Sequence, residues 1–183
     1  MKMKKLIFLF SILLISHAAF SQVYITRNGH IRFFSQSPLE NIEATNRQVN
    51  AALNNSTGEF AFRLLMRAFS FEKALMQEHF NDNFVESHKY PNAMFQGNVL
   101  NIEAINLKVN GQYNVTVEGD LTIKDVTRKI REPGTLTIKD GVIIGESVFK
   151  INLADFNVNI PNRYSRNIAS EIEIFVNVEL RER

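Results

Sequence analysis

The chain has 183 residues, 45 % of them hydrophobic and 22 % charged, with a formal net charge of +2, and a length of this order suits one domain. It contains no cysteine, which excludes a disulfide framework, a thiolate nucleophile, thiolate-bound zinc and lipid attachment at a cysteine behind a leader. The excess of positive charge comes from three lysines at the front of the chain, and without them the balance is −1. No basic stripe then remains to neutralise a nucleic-acid backbone or an anionic membrane surface.

Lys2, Lys4 and Lys5 precede an apolar run from Leu6 to Ile15 and the small-residue site Ala19-Phe20-Ser21. This pattern predicts a signal peptide over residues 1–21, cleaved after Ser21, and a mature domain over 22–183. The run is about half the ~20 residues a membrane-crossing helix needs, and nothing later is long and apolar enough to span, so no integral membrane span is expected. An exported domain without disulfides relies on its core, and a domain near this size buries roughly 68–70 % of its unfolded surface. Fifteen phenylalanines and no tryptophan point to a core or a cavity lining poor in hydrogen-bonding groups.

In chain order, Ile31 to Ser35 reads as a first strand, and Val49 to Leu53 as either a short helical turn or a strand end. Asn54 to Gly58 reads as a turn. Glu59 to Met66 places Phe60, Phe62, Leu64 and Met66 on one face, with Arg63 and Arg67 on the other. Phe71, Leu75, Met76 and Phe80 recur at helical spacing, which predicts the one substantial helix over Phe71 to Phe80, ended by Asn81 and Asn83. Val99 to Val109 is read as a strand, followed by an Asn110-Gly111 turn. Tyr113 to Ile123 alternates without a miss and turns Tyr113, Val115, Val117, Leu121 and Ile123 inward. Gly134 to Ile138, the Asp140-Gly141 turn and the row Phe149, Ile151, Leu153 follow. The last strand turns Ile168, Ile172, Ile174, Val176, Val178 and Leu180 one way. Phe175 falls on its polar face, where packing against an outer helix or loop is expected.

About eight strands joined by short turns imply an up-and-down antiparallel sheet, since parallel units would need crossover helices. Such a sheet has one apolar face and a single helix to cover it. Curling into a barrel hides that face and removes the edges. At about eight strands the interior is either filled by side chains or open to one small ligand, and the patterning leaves both open.

Three stretches carry a resemblance to a known family: Glu78-His79-Phe80 leading to Lys89-Tyr90-Pro91-Asn92-Ala93-Met94-Phe95, then Gly119 to Arg128, then Phe149 to Phe156. With Gly58 to Phe71 they cover most of the mature chain, which resembles the YceI-like, polyisoprenoid-binding proteins. The family pattern usually has glycine where this chain has Asp125. The resemblance implies a mainly β fold, a lipocalin-like antiparallel barrel with a helix capping one end. It also implies export to the periplasm of a Gram-negative bacterium and an apolar, isoprenoid-like ligand in the interior. A homodimer is a family-level expectation.

The resemblance supplies no ligand motif, so candidate lining residues come from inward geometry: Phe60, Phe62, Leu64, Met66, Phe71, Met76, Phe80, Phe95, Val115, Val117, Phe149 and Ile151. Phe69, Phe71, Leu75, Met76 and Phe80 are also expected to pack helix on barrel. No catalytic residue, metal ligand or cofactor site is assigned: His79, with Glu78, Asp82, Glu86 and His88 nearby, is read as solvated surface. No nucleophile elbow, P-loop or dinucleotide fingerprint occurs, and no enzyme is expected. Lys124, Arg128, Lys129 and Arg131 form a basic group, read as a solvated loop or a headgroup contact at the rim. The expected function is a carrier or buffer of an apolar lipid. The alternative is a cell-envelope interaction domain with a filled core, docking through Phe175 or Phe34.

Overall fold

Alternating apolar residues on long strands need a shared interior, and the chain provides one by closing a single sheet. The structure, a computed structural model, describes residues 22–183, so the leader assigned to residues 1–21 lies outside the described residues. The strands are β1 Val23–Gln36, β2 Asn41–Asn54, β3 Glu59–Leu65, β4 Ser70–Phe71, β5 Asn92–Val99, β6 Gly111–Ile123, β7 Val126–Lys139, β8 Val142–Asn152 and β9 Glu171–Glu182. Their order is β1-β9-β8-β7-β6-β5-β3-β2, and β1 pairs with β2 to close an eight-stave antiparallel barrel. The two-residue β4 hangs on β2 through Ala44↔Phe71 and Thr45↔Ser70. Among the described residues one short α-helix, α1 Ala74–His79, runs into a wider turn over Phe80–Phe84.

Several expected elements differ in extent. Phe71 belongs to β4 and not to the helix. Asn81 and Asn83 do not end the helical path; Asn81 donates its side-chain amide to the Gln77 carbonyl at 2.8 Å, and the turn continues to Phe84. Val49 to Leu53 is strand. The first strand, read from Ile31 to Ser35, begins eight residues earlier, and the Gly134–Ile138 strand is the end of the much longer β7. Ile168 precedes β9 and is not part of it.

The stretch read as a strand from Val99 to Val109 leaves the sheet at Val99 and folds over one end of the barrel. Ile102, Ile105 and Leu107 are buried there. Asparagine side chains compete for the backbone that a strand would use. Asn101 donates to the Asn114 carbonyl and Asn106 accepts from the Lys108 N–H. Gly111 does not take a left-handed conformation, so Asn110-Gly111 is not a tight turn. Asn110 instead bonds Asp140 across the same end. The Asp140-Gly141 hairpin has the positive φ values, 51° and 80°, that a two-residue turn between twisted strands needs.

Between β6 and β7 the left-handed residue is Lys124, φ 55°, and Asp125 has no positive φ. The Lys124 side chain, 10 % exposed, ties three segments together. Its ammonium pairs with Glu86 at 2.9 Å and donates to the carbonyls of Asn157 at 3.1 Å and Phe84 at 3.4 Å.

Pairing of β7 with β8 runs only from Thr135↔Glu146 to Lys139↔Val142. Ahead of it stands Pro133, which has no N–H for a ladder. From there the two strands part, and side chains cross the gap: Ser147 Oγ donates to the Pro133 carbonyl at 2.7 Å, and Arg128 to the Asp155 carbonyl at 3.1 Å.

The interior divides along its axis. Around the β7–β8 hairpin, Leu53, Ile138, Ile143, Val178 and Leu180 are at most 2 % exposed, and this half is solid. Gly29 is fitted into it, since a Cβ there would lie 2.9 Å from Val178 and 3.2 Å from Val49. The half bearing the helical segment is hollow.

Hydrogen bonds from Lys124, and then from Lys89, hold the Glu86 carboxyl below its ordinary pKa. A folded-state pKa below the unfolded one adds stability above about pH 4.3 that is lost as pH falls through the folded value. Lys124→Met is therefore expected to destabilise the domain at neutral pH by about 1–3 kcal/mol, mainly through carbonyls left unpaired. The gap from the native chain should narrow on acidification. Urea titrations at neutral and acid pH measure both, and a pH-independent gap would show that Glu86 takes no part.

Candidate functional site

The hollow half encloses a cavity of about 560 Å³. Its walls are inward residues of seven strands: Ile31 and Phe33 of β1, Ile42 of β2, Phe62 and Leu64 of β3, Ala93 and Phe95 of β5, Leu121 and Ile123 of β6, Phe149 and Ile151 of β8, and Ile172 and Ile174 of β9. β7 contributes nothing, as expected for the stave that swings away beyond Pro133.

Two connections roof the cavity. From the β3–β5 side come Met66, Phe69, Phe71, Met76, Phe80 and Phe84. From the β8–β9 side come Phe156, Val158, Ile160 and Ile168. Phe80 is the hub of the first group, with ring centroids 5.7 Å from Phe33, 5.6 Å from Phe69 and 5.0 Å from Phe71. The first is stacked, the second edge-on and the third tilted, and such contacts suit aromatic quadrupoles and add to plain burial. The two roof segments meet where Tyr164 faces His79 and Phe84, each at 5.9 Å.

Polar groups gather at the mouth. Lys73 forms an ion pair with Glu40, whose carboxylate holds the ammonium above its ordinary pKa. His79, Arg163 and Asn167 share the rim. Arg163 lies 4.8 Å over the Tyr164 ring. Deeper in the wall, the buried Ser35 hydroxyl accepts the Ala169 N–H at 2.9 Å.

Of the residues assigned from sequence, Phe62, Leu64, Met66, Phe71, Met76, Phe80, Phe95, Phe149 and Ile151 line this cavity. Phe60, Val115 and Val117 do not: they point inward but belong to the solid half. Leu121, Ile123, Ile172 and Ile174 were legible as inward yet not as cavity wall. Phe156, Val158 and Ile160 lie in a loop without strand periodicity, and their i, i+2 spacing was the only sign of a shared face.

The basic group turns away from the site. Lys124 and Arg128 are spent on backbone carbonyls and Glu86, while Lys129 and Arg131 flank Glu118, so none of the four is a cavity-rim contact. His79 borders the mouth instead of standing in open solvent, and Glu86 is engaged by two lysines. Among the described residues, no group of three or more His, Cys, Asp or Glu is placed to hold a metal ion. Phe175 is covered by the Arg32 guanidinium, 3.7 Å above its ring, and not by a helix or loop.

The model of the YceI-like domain matches residues 17–180. The chain belongs to the YceI-like domain family. Solved structures share its fold at low identity. A polyisoprenoid binding domain from Saccharophagus degradans, implicated in plant cell wall breakdown, is 13 % identical with a TM-score of 0.77, over 89 % of this chain and 99 % of that one. BcnA of Burkholderia cenocepacia is 16 % identical with a TM-score of 0.67, over 83 % and 95 %. A YceI protein of Campylobacter jejuni is 16 % identical with a TM-score of 0.60, over 81 % and 88 %. No curated protein matches the sequence. In this YceI-like barrel the long connections, and not the staves, carry the roof.

Phe80→Ala should test whether that roof is packed on the barrel. Because Phe80 is half-buried, the expected loss is about 2 kcal/mol, below the 3–5 of a fully buried ring. The denaturation midpoint reads it, and an unmoved midpoint would mean that the ring cluster is not formed.

Proposed function

We propose that the protein is exported and holds an apolar, isoprenoid-like molecule in its barrel interior, as a carrier or buffer and not as an enzyme. The observation that carries this reading is the cavity of about 560 Å³ with walls and roof of aliphatic and phenyl side chains, its charged groups at the mouth and one serine hydroxyl, already hydrogen-bonded to a backbone N–H, in its wall. A tail needs no polar partner, and each buried methylene-sized group is worth about 0.8 kcal/mol, less the cost of ordering a flexible chain. The tail enters first and leaves its polar end beside Lys73, Arg163 and Asn167. The polyisoprenoid binding domain of Saccharophagus degradans, which shares the fold, supports the same ligand class.

Export rests on the leader pattern of residues 1–21, and a periplasmic site follows if the host is Gram-negative. The filled-core alternative is disfavoured by the void, and one of its two docking rings, Phe175 and not Phe34, lies under Arg32. A homodimer is carried as a family-level proposal, read out by sedimentation equilibrium.

The mature domain, recovered from the envelope fraction of a Gram-negative host and extracted with organic solvent, should release a molecule of isoprenoid mass. An empty extract together with no uptake of added geranylgeraniol would overturn the reading. Leu121→Asn sets an amide in the wall, and a buried amide without a partner costs about 1–3 kcal/mol. Geranylgeraniol should accordingly bind roughly tenfold more weakly, since about 1.4 kcal/mol is one decade. Titration by tyrosine fluorescence measures this.

A further inference from the structure

We propose that Phe60, Phe62 and Phe95 form a floor that limits the ligand to a short tail, about four isoprene units, entering from the roofed end. The proposal rests on the ligand class argued above and adds its length. Phe62 and Phe95 stand opposite each other on β3 and β5 and line the bottom of the cavity. Phe60, the next inward residue of β3, lies beneath them, its ring centroid 6.2 Å from each, and does not line the cavity.

The reason Phe95 can lie there is a pair of glycines. Phe60 is opposite Gly97, and Gly97 is opposite Gly119, so the wall below Phe95 carries no side chain on two adjacent staves. A Cβ on Gly119 would come within 2.8 Å of the Phe95 ring, and one on Gly97 within 2.2 Å of the Glu118 carbonyl. The ring therefore occupies space that Gly119 vacates, while Gly97 lets the β6 backbone lie close, and the ring closes the tunnel where the wall alone would leave it open. Below, Leu53, Ile138, Ile143 and Leu180 are packed solid, so a tail that passed the floor would find room only above the glycine pair.

The remaining volume sets the length. A methylene-sized group takes roughly the condensed-phase share of a water molecule, ~30 Å³. A cavity of about 560 Å³ then holds on the order of twenty carbons. A longer chain has to leave its surplus in water, where it adds no burial.

The test compares the affinities of farnesol, geranylgeraniol, geranylfarnesol and solanesol for the native chain and two variants, each first checked for a cooperative thermal transition. For the native chain, affinity should rise from farnesol to geranylgeraniol and then stop rising. Phe95→Ala should uncover the glycine pair and favour geranylfarnesol over geranylgeraniol by about tenfold, with Phe95→Leu as a milder version if the alanine chain does not fold. Ala93→Leu, which fills the wall beside the floor, should move the preference by a similar factor toward farnesol. Affinity that climbs through solanesol in the native chain, or a length profile that neither variant moves, would overturn the floor while leaving the ligand class intact. No uptake of any of the four alcohols would overturn both.

Discussion

Closure of one alternating sheet is the constraint on which the molecule depends. Once β1 pairs with β2, every second residue of eight staves is delivered to a common interior, although the ladder between β7 and β8 opens beyond Pro133. The sizes of those residues then decide, level by level, whether the axis is filled. Near the β7–β8 hairpin, branched side chains from facing staves meet and exclude everything. Toward the other end the wall residues are no smaller, but β7 and β8 part beyond Pro133, β7 withdraws from the wall, and the residues no longer reach across. The hollow thus follows from a change in strand geometry more than from a change in composition.

A barrel that widens must be roofed, and the roof cannot be sheet. The two long connections supply it with phenyl rings and aliphatic residues, and Lys124 fastens both to the β6–β7 hairpin. Its ammonium is one of few charges drawn into the protein, and three acceptors from two roof segments satisfy it. A buried cation so engaged stabilises chiefly by making alternative placements costly, because each would strand a charge or a carbonyl. The basic residue that looked like a surface feature is a structural bolt.

How legible this was depended on whether the information was periodic. Tyr113 to Ile123 and the final strand could be read with their faces because alternation is a local property. The barrel itself followed from counting strands against helices. The Val99–Val109 segment misled because its apolar residues satisfy a strand template while Asn101 and Asn106 take the backbone away from the ladder, a competition visible only in three dimensions. Phe60, Val115 and Val117 were assigned to the cavity for the same reason that Phe62 was: they point inward. Direction can be read from alternation, but depth along the axis depends on register between strands far apart in sequence. The roof loop had no period to read.

The division of the interior also separates stability from binding. Hydrophobic burial and cavity cost act on the same side chains, so a uniformly hollow barrel would surrender packing along its whole length. Here the solid half, with its nearly inaccessible Leu53, Ile143 and Leu180, can hold the staves in register without help from a ligand. The other half is free to keep unfilled volume beneath a roof of buried and half-buried rings. The glycine pair lies at the boundary between these regimes. With side chains at Gly97 and Gly119 the β5–β6 strands could not approach as they do, and with small residues at 60 and 95 the hollow would run into the packed half. The arrangement of two bare positions beneath two rings and level with a third is therefore what lets one continuous barrel be a core at one end and a container at the other.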